Sequence, residues 1–245
     1  MKKAISILTV IILCLTLSSC KKNHADTINF NLDGEPSTLD PQSAEDTSSL
    51  IVVTNLFEGL TRLDETETAI PGVAKTWESN PGKTRYTFYL RKDATWSDKE
   101  KTPVTANDFL FAIQRAISPH STFPNANNLY SIKNAQAING GQKDISTLGV
   151  KTEDDYTITF ELEYPVEDFP KLLANAIFMP CNKKFFDSTS GQYGREVKSI
   201  ISNGPFKFSS KTSWDHFKKI SLTKNEDYKS DLSPICNGIL FSIGK

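Results

Sequence analysis

The stretch Ser48-Ser49-Leu50-Ile51-Val52-Val53-Thr54-Asn55-Leu56-Phe57-Glu58-Gly59-Leu60-Thr61-Arg62-Leu63-Asp64 decides how the rest of the chain is read. Its first part has helical periodicity. Leu50, Val53, Leu56, Phe57 and Leu60 recur at three- and four-residue spacing, which puts them on one face and predicts its burial. Asp46, Thr47 and Ser48 offer side-chain oxygens to cap the first turn. Gly59 stands just past the expected helix end, where the backbone often takes positive φ. Leu60-Thr61-Arg62-Leu63 then reads as extended chain, with Leu60 and Arg62 opposite Thr61 and Leu63. A buried helix is thus expected to deliver Glu58, Gly59 and Leu60 to a surface with backbone free to pair. That suits an extended ligand lying beside a strand. An ordinary helix–glycine–strand corner has the same local pattern.

The chain has 245 residues, room for one large or two small domains. Its first segment reads as an export signal rather than part of the fold. Lys2 and Lys3 form a basic start, and Ile5 to Leu17 is an apolar run too short to span a membrane. The run ends in Leu17-Ser18-Ser19-Cys20, which resembles a bacterial lipoprotein signal. Residues 1–19 are therefore expected to be removed, Cys20 to carry lipid, and 20–25 to serve as a polar tether. Several acyl chains on one Cys hold a protein to a membrane far better than one. Cleavage there removes two lysines and no acid, leaving 26 basic against 29 acidic side chains, a net charge of −3. No basic stripe marks a nucleic-acid partner. Cys181 and Cys236 are expected to be buried thiols; two unpatterned cysteines do not imply a disulfide.

The remaining elements follow from pattern. Thr27 to Leu32 alternates as a strand, and Glu35 to Pro41 is a loop stiffened by Pro36 and Pro41. Tyr86, Phe88 and Leu90 alternate as a half-buried strand. Thr105 to Asp108 resembles a capping box opening a helix that buries Phe109, Ala112, Ile113 and Ala116. Tyr156 to Leu162 is another strand. Pro165 is expected to open a short helix with Phe169, Leu172 and Leu173 inward. Ser188 to Gly194 reads as a polar linker. Phe206 and Phe208, then Ile220 and Leu222, mark strands, and Gly238 to Ile243 is apolar enough for a buried one.

Catalytic signatures are lacking. There is no Gly-x-Ser-x-Gly elbow, no His-Glu-x-x-His and no phosphate-binding glycine loop after a strand. His24, His120 and His216 stand in polar surroundings and read as surface residues rather than metal ligands. The reading is therefore no enzyme, no cofactor and no metal site.

Several blocks then carry a family resemblance: Glu35-Pro36-Ser37-Thr38-Leu39-Asp40-Pro41, Asn55 to Leu60, Pro71-Gly72-Val73-Ala74, Tyr86 to Arg91, Thr95-Trp96-Ser97-Asp98, Val104 to Phe109, Asn203-Gly204-Pro205-Phe206 and Lys224-Asn225. In this order they resemble the family 5 extracellular solute-binding proteins of ABC importers, of the oligopeptide-binding lipoprotein type. The resemblance implies an α/β, periplasmic-binding-protein-like class II (type C) first lobe, a mixed sheet with an inserted α+β subdomain. It divides the chain into 26–70 and 195–245 for the first lobe and 71–194 for the insertion. It implies that Glu58, Gly59 and Leu60 run beside the peptide backbone. It also implies oligopeptides, permease and ATPase subunits as partners, and an envelope location through the lipid on Cys20. The second lobe, which in the family carries the acidic partner of the peptide α-amino group, is expected to be absent. Lys99-Glu100-Lys101 replaces the usual glycine after Trp-Ser-Asp, so that turn must differ. A surface protein that keeps the scaffold without transport, or a binder of nickel, haem or sugar, stays open.

Overall fold

A computed structural model describes residues 26–119, 121–231 and 233–244. The signal segment 1–19, Cys20, the tether to residue 25, and His24 and His120 lie outside them. The chain runs through β1 (Thr27–Leu32), α1 (Thr47–Leu56), β2 (Thr61–Leu63), β3 (Ala69–Pro71), β4 (Ala74–Ser79), β5 (Arg85–Leu90), α2 (Ala106–Ala116) and α3 (Ala135–Asn139). It continues with β6 (Val150–Asp154), β7 (Thr157–Glu161), α4 (Phe169–Leu172), α5 (Lys183–Ser188), β8 (Phe206–Phe208), β9 (Trp214–Asp215), β10 (Lys219–Lys224) and β11 (Gly238–Ile243).

One sheet has the order β1-β11-β10-β8, with β9 also on β10; only the β1–β11 pair is parallel. A second, antiparallel sheet has the order β4-β5-β7-β6, and β2 and β3 form a hairpin. The first sheet draws its strands from 27–32 and 206–243, the second from 74–161. On that distribution we propose the same division as above, 26–70 with 195–245 enclosing 71–194. One apolar core runs through both parts.

Local chemistry starts the helices where the side chains direct. Asp46 caps α1, accepting the Ser49 N–H at 2.8 Å. Burial pushes the Asp46 pKa up, but hydrogen bonds from Ser37 and Ser49 outweigh it and hold it below the ordinary value. The Thr105–Asp108 capping box forms at α2 as expected, and Phe109, Ala112, Ile113 and Ala116 are buried. Burial pushes the Asp108 carboxyl up to about 6. In the second sheet, Phe88 packs edge-on against Phe160, and Phe160 against Phe169. The turn after Trp96-Ser97-Asp98 places Lys101 at φ 51°, the left-handed region that a glycine would otherwise fill.

Tertiary contacts change several expectations. The helix near Pro165 begins only at Phe169. The Tyr86 hydroxyl donates to the carbonyls of Val166 and Glu167 and keeps that segment out of helix. Ser188 to Gly194 is no linker. Tyr193 is buried, Gly194 has φ 79°, and its carbonyl accepts the Leu39 N–H at 2.8 Å. A Cβ on Gly194 would lie 2.3 Å from the Asp40 nitrogen, so the turn needs glycine for space as well as for φ. β11 is covered on both sides, by β1 and β10, so it is no edge; the sheet ends in β8 and β9 on one side and in β1 on the other. Ile28 and Phe30 on the β1 edge are 51% and 42% exposed. Cys181 and Cys236 are buried free thiols.

Candidate functional site

α1 ends at Leu56, and Phe57 turns the chain into extended conformation. The corner that follows is pinned from outside. The Asn203 side chain accepts the Glu58 N–H at 3.1 Å and donates to the Glu58 carbonyl at 2.9 Å. The Gly59 carbonyl accepts Val73 N–H at 2.9 Å, and the Leu60 carbonyl accepts Gly72 and Ala74. The N–H groups of Gly59 and Leu60 donate to no other described residue. The backbone free for pairing is therefore two donors, not a whole strand edge.

Glu58 is 2% exposed, and its carboxylate gathers side chains from three segments. Arg91 Nη2 lies at 2.8 Å, Arg62 Nε at 3.3 Å, and the Tyr228 hydroxyl donates to Oε1. The Arg91 guanidinium also sits 5.5 Å from the Tyr228 ring centroid. Burial alone would lower the Arg91 pKa, but the Glu58 charge and hydrogen bond raise it above the ordinary value. Burial, reinforced by Glu58, pushes Tyr228 up to about 12. A buried carboxylate is tolerable when paired and hydrogen-bonded in this way.

A cleft of about 380 Å³ opens beside this cluster. Glu58 and Gly59 line it together with Phe57, Arg62, Met179 and Tyr228. Leu60 does not; it lies behind, 1% exposed. Thr61 is also buried, with its hydroxyl donating to the Pro170 carbonyl at 2.7 Å, while Leu63 is 41% exposed. The simple alternation read from Leu60 to Leu63 gives way to that hydrogen bond.

Gly59 does not have positive φ. Its requirement is space: a Cβ would stand 3.0 Å from the Leu173 carbonyl oxygen and 3.2 Å from that of Thr61. Both obstacles are backbone. Gly59→Ala is therefore expected to cost about 1–3 kcal/mol by overpacking, and Gly59→Val more. Urea denaturation checks this; an unchanged midpoint for Gly59→Val would show that the corner relaxes freely.

The roles of Arg62, Arg91, Asn203 and Tyr228 were not read from sequence. The available signal was Glu58 itself, since a glutamate following a buried helix face requires cationic and hydroxyl partners. Nothing local says which. His216 is likewise more engaged than expected. Its Nδ1 lies 2.6 Å from Glu35, and its ring packs on Trp214 at 4.5 Å between centroids. Burial alone would lower the His216 pKa; hydrogen bonds and charge from Glu35, then Glu196, raise it.

Comparison with known proteins supplies the setting. A family model described as bacterial extracellular solute-binding proteins, family 5 Middle, matches residues 68–245. The chain is 35% identical over 242 residues to the oligopeptide-binding protein OppA of Bacillus subtilis, covering 93% of this chain and 44% of that protein. It is 36% identical over 202 residues to the probable deoxycholate-binding periplasmic protein YgiS of Escherichia coli, covering 82% and 37%. Among solved structures, OppA of Listeria monocytogenes bound to peptide superposes with TM-score 0.84 at 30% identity, covering 91% of this chain and 43% of that one. An oligopeptide ABC transporter substrate-binding domain from Bacillus anthracis gives 0.82 at 36% identity, covering 90% and 42%. The chain thus spans less than half the length of these relatives, and the mixed α/β fold is theirs over a share consistent with one lobe. With its fold, its sequence and the family model in agreement, the chain belongs to the family 5 bacterial extracellular solute-binding proteins.

Proposed function

We propose that the chain is a lobe of the peptide-binding component of an ABC importer, held at the cell envelope by lipid on Cys20. The observation that carries this reading is the superposition, over nine-tenths of the chain, on a relative solved with a peptide bound. In this reading the cleft beside Glu58 and Gly59 receives an extended peptide. A peptide carbonyl accepts the Gly59 N–H on the cleft side, while Leu60, behind it, holds the corner in place. Recognition through backbone tolerates varied side chains, since every peptide carries the same carbonyls. The chain acts by binding and release, with no chemistry on the ligand. Peptide turnover without added protease would overturn that part.

The polypeptide from Cys20 to Lys245 is expected to bind tri- to pentapeptides no better than about 1 mM. It offers one wall. Backbone hydrogen bonds that compete with water net roughly 0.5–1.5 kcal/mol each, against an association cost of several kcal/mol or more. Calorimetric titration decides it, and micromolar binding by a monomer would overturn the one-wall argument. Deoxycholate belongs in the same titration. The identity to a probable deoxycholate-binding relative favours a second reading, an amphipathic acid as ligand.

For the anchor, Cys20→Ser is expected to move the protein from the detergent to the aqueous phase on partitioning, with its melting temperature unchanged. A variant that stays in detergent would overturn the lipid assignment.

A further inference from the structure

A second and larger cleft, about 960 Å³, opens between the start of β4, the segment after β5 and the loop after β10. Five cations line it, Arg62, Lys75, Arg91, Lys92 and Lys229, against the carboxylates of Asp93 and Asp231. The chain as a whole is net −1, so positive charge is concentrated here against the general balance.

The cations are of two kinds. Arg62 and Arg91 are held from behind by Glu58. Their other N–H groups reach the Pro71 carbonyl, Ser230 and Tyr228 from Arg62, and the Gly72 carbonyl and Asp93 from Arg91. They form a rigid floor with few donors to spare. Lys75, Lys92 and Lys229 are exposed, and none ion-pairs with a described carboxylate. Lys92 lies over the Tyr156 ring at 5.4 Å, and among the described residues Lys229 reaches only the Glu226 carbonyl, at 3.4 Å. Three ammonium groups from three separate segments thus line one cleft, against Asp231 alone, since Asp93 is taken by Arg91.

The backbone gives an independent sign. Ala74 pairs with Leu90 and Thr76 with Tyr89, so Lys75 is the extra residue of a bulge in β4. A bulge re-aims the side chain it carries and recurs next to binding sites.

We propose that this cleft binds a phosphate-bearing anion through Lys75, Lys92 and Lys229. Ammonium groups act as point charges and suit phosphate oxygens. The arginine forks that would suit a carboxylate are already consumed. The anion is either a dissolved phosphate compound or the headgroup of an anionic phospholipid. The site adjoins the cleft beside Gly59, with Arg62 lining both, but its three lysines line only the larger one, and the proposal does not depend on the peptide reading.

Two measurements on the full chain test it: calorimetric titration with pyrophosphate at low salt, and co-sedimentation with phosphatidylcholine vesicles with and without phosphatidylglycerol. Saturable pyrophosphate binding is expected, weakened about tenfold or more by Lys75→Ala or Lys229→Ala, weakened further by salt, and unaffected by Lys184→Ala. If lipid is the source, the same two substitutions remove the phosphatidylglycerol-dependent part of sedimentation. These lysines are exposed, so unchanged urea unfolding will separate lost binding from lost fold. The proposal is overturned if neither probe binds, if binding survives the Lys75→Ala, Lys229→Ala double variant, or if a polyglutamate peptide binds more tightly than pyrophosphate.

Discussion

Arg115→Ala is expected to lower the stability of the chain by about 3–5 kcal/mol, the range for breaking one side of a buried ion pair. Asp40 is 6% exposed, and both its oxygens accept from Arg115, at 2.8 and 2.6 Å. Arg115 also donates to the Gln42 side chain, whose amide in turn donates to the carbonyls of Ile177 and Met179. The guanidinium lies 4.6 Å from the Phe186 ring centroid and 5.3 Å from those of Phe123 and Tyr193. Burial alone would lower the Arg115 pKa; the Asp40 hydrogen bonds and charge raise it. Removing the arginine leaves Asp40 buried and unpaired and takes away the plate on which three rings pack. For a chain of this size the loss corresponds to a fall in Tm of roughly 10 °C. Arg115→Lys should recover only part, because an ammonium cannot reproduce the two parallel bonds. Denaturation of the wild type and both variants decides it. A loss below about 1 kcal/mol would mean that water reaches Asp40 when the arginine is gone.

Glu58→Ala has the second large expected effect, again about 3–5 kcal/mol. It takes from Arg91, whose side chain is 13% exposed, its buried counter-charge, leaving only the exposed Asp93 and the Gly72 carbonyl, and removes the acceptor of the Tyr228 hydroxyl. Arg62 loses less, since its side chain is 26% exposed and it keeps the Pro71 carbonyl. Glu58→Gln retains an acceptor and should cost less. The same variant gives a second readout. Burial first and Glu58 second push Tyr228 up to about 12. With the charge gone, phenolate absorbance should show Tyr228 titrating closer to the usual value of about 10. An unchanged Tyr228 titration would mean that burial alone sets it. Because Glu58 also lines the cleft beside Gly59 and backs the floor of the cationic one, both binding measurements on this variant need the stability change beside them.

Features that depend on neighbours along the chain can be read before any folding is considered. The start of α1 was legible from Asp46, Thr47 and Ser48 together, and of the three Asp46 is the cap, because a carboxylate three residues from an N–H finds it whatever the rest of the fold does. The Thr105–Asp108 capping box and the buried face of α2 were legible for the same reason. The alternation in β5 holds because that strand has one face on the core, whereas in β7 Thr159 is buried along with Ile158 and Phe160. Contacts made through space account for the rest. Gly59 marks a tight approach of Leu173 rather than positive φ, and no local pattern contains Leu173. Gly238 to Ile243 reads as apolar, but whether it is an edge depends on β1, which comes from the other end of the chain. Ser188 to Gly194 has the composition of a linker and the packing of a core turn, because Asp40 and Leu39 reach it across more than a hundred residues. Glu58 could be seen to need partners, but Arg91 and Tyr228 are chosen by folding. Hydrogen-bond reach along a chain is a few residues, so sequence fixes caps and faces. Burial and charge pairing act through space, so they name their partners only once the chain has closed on itself.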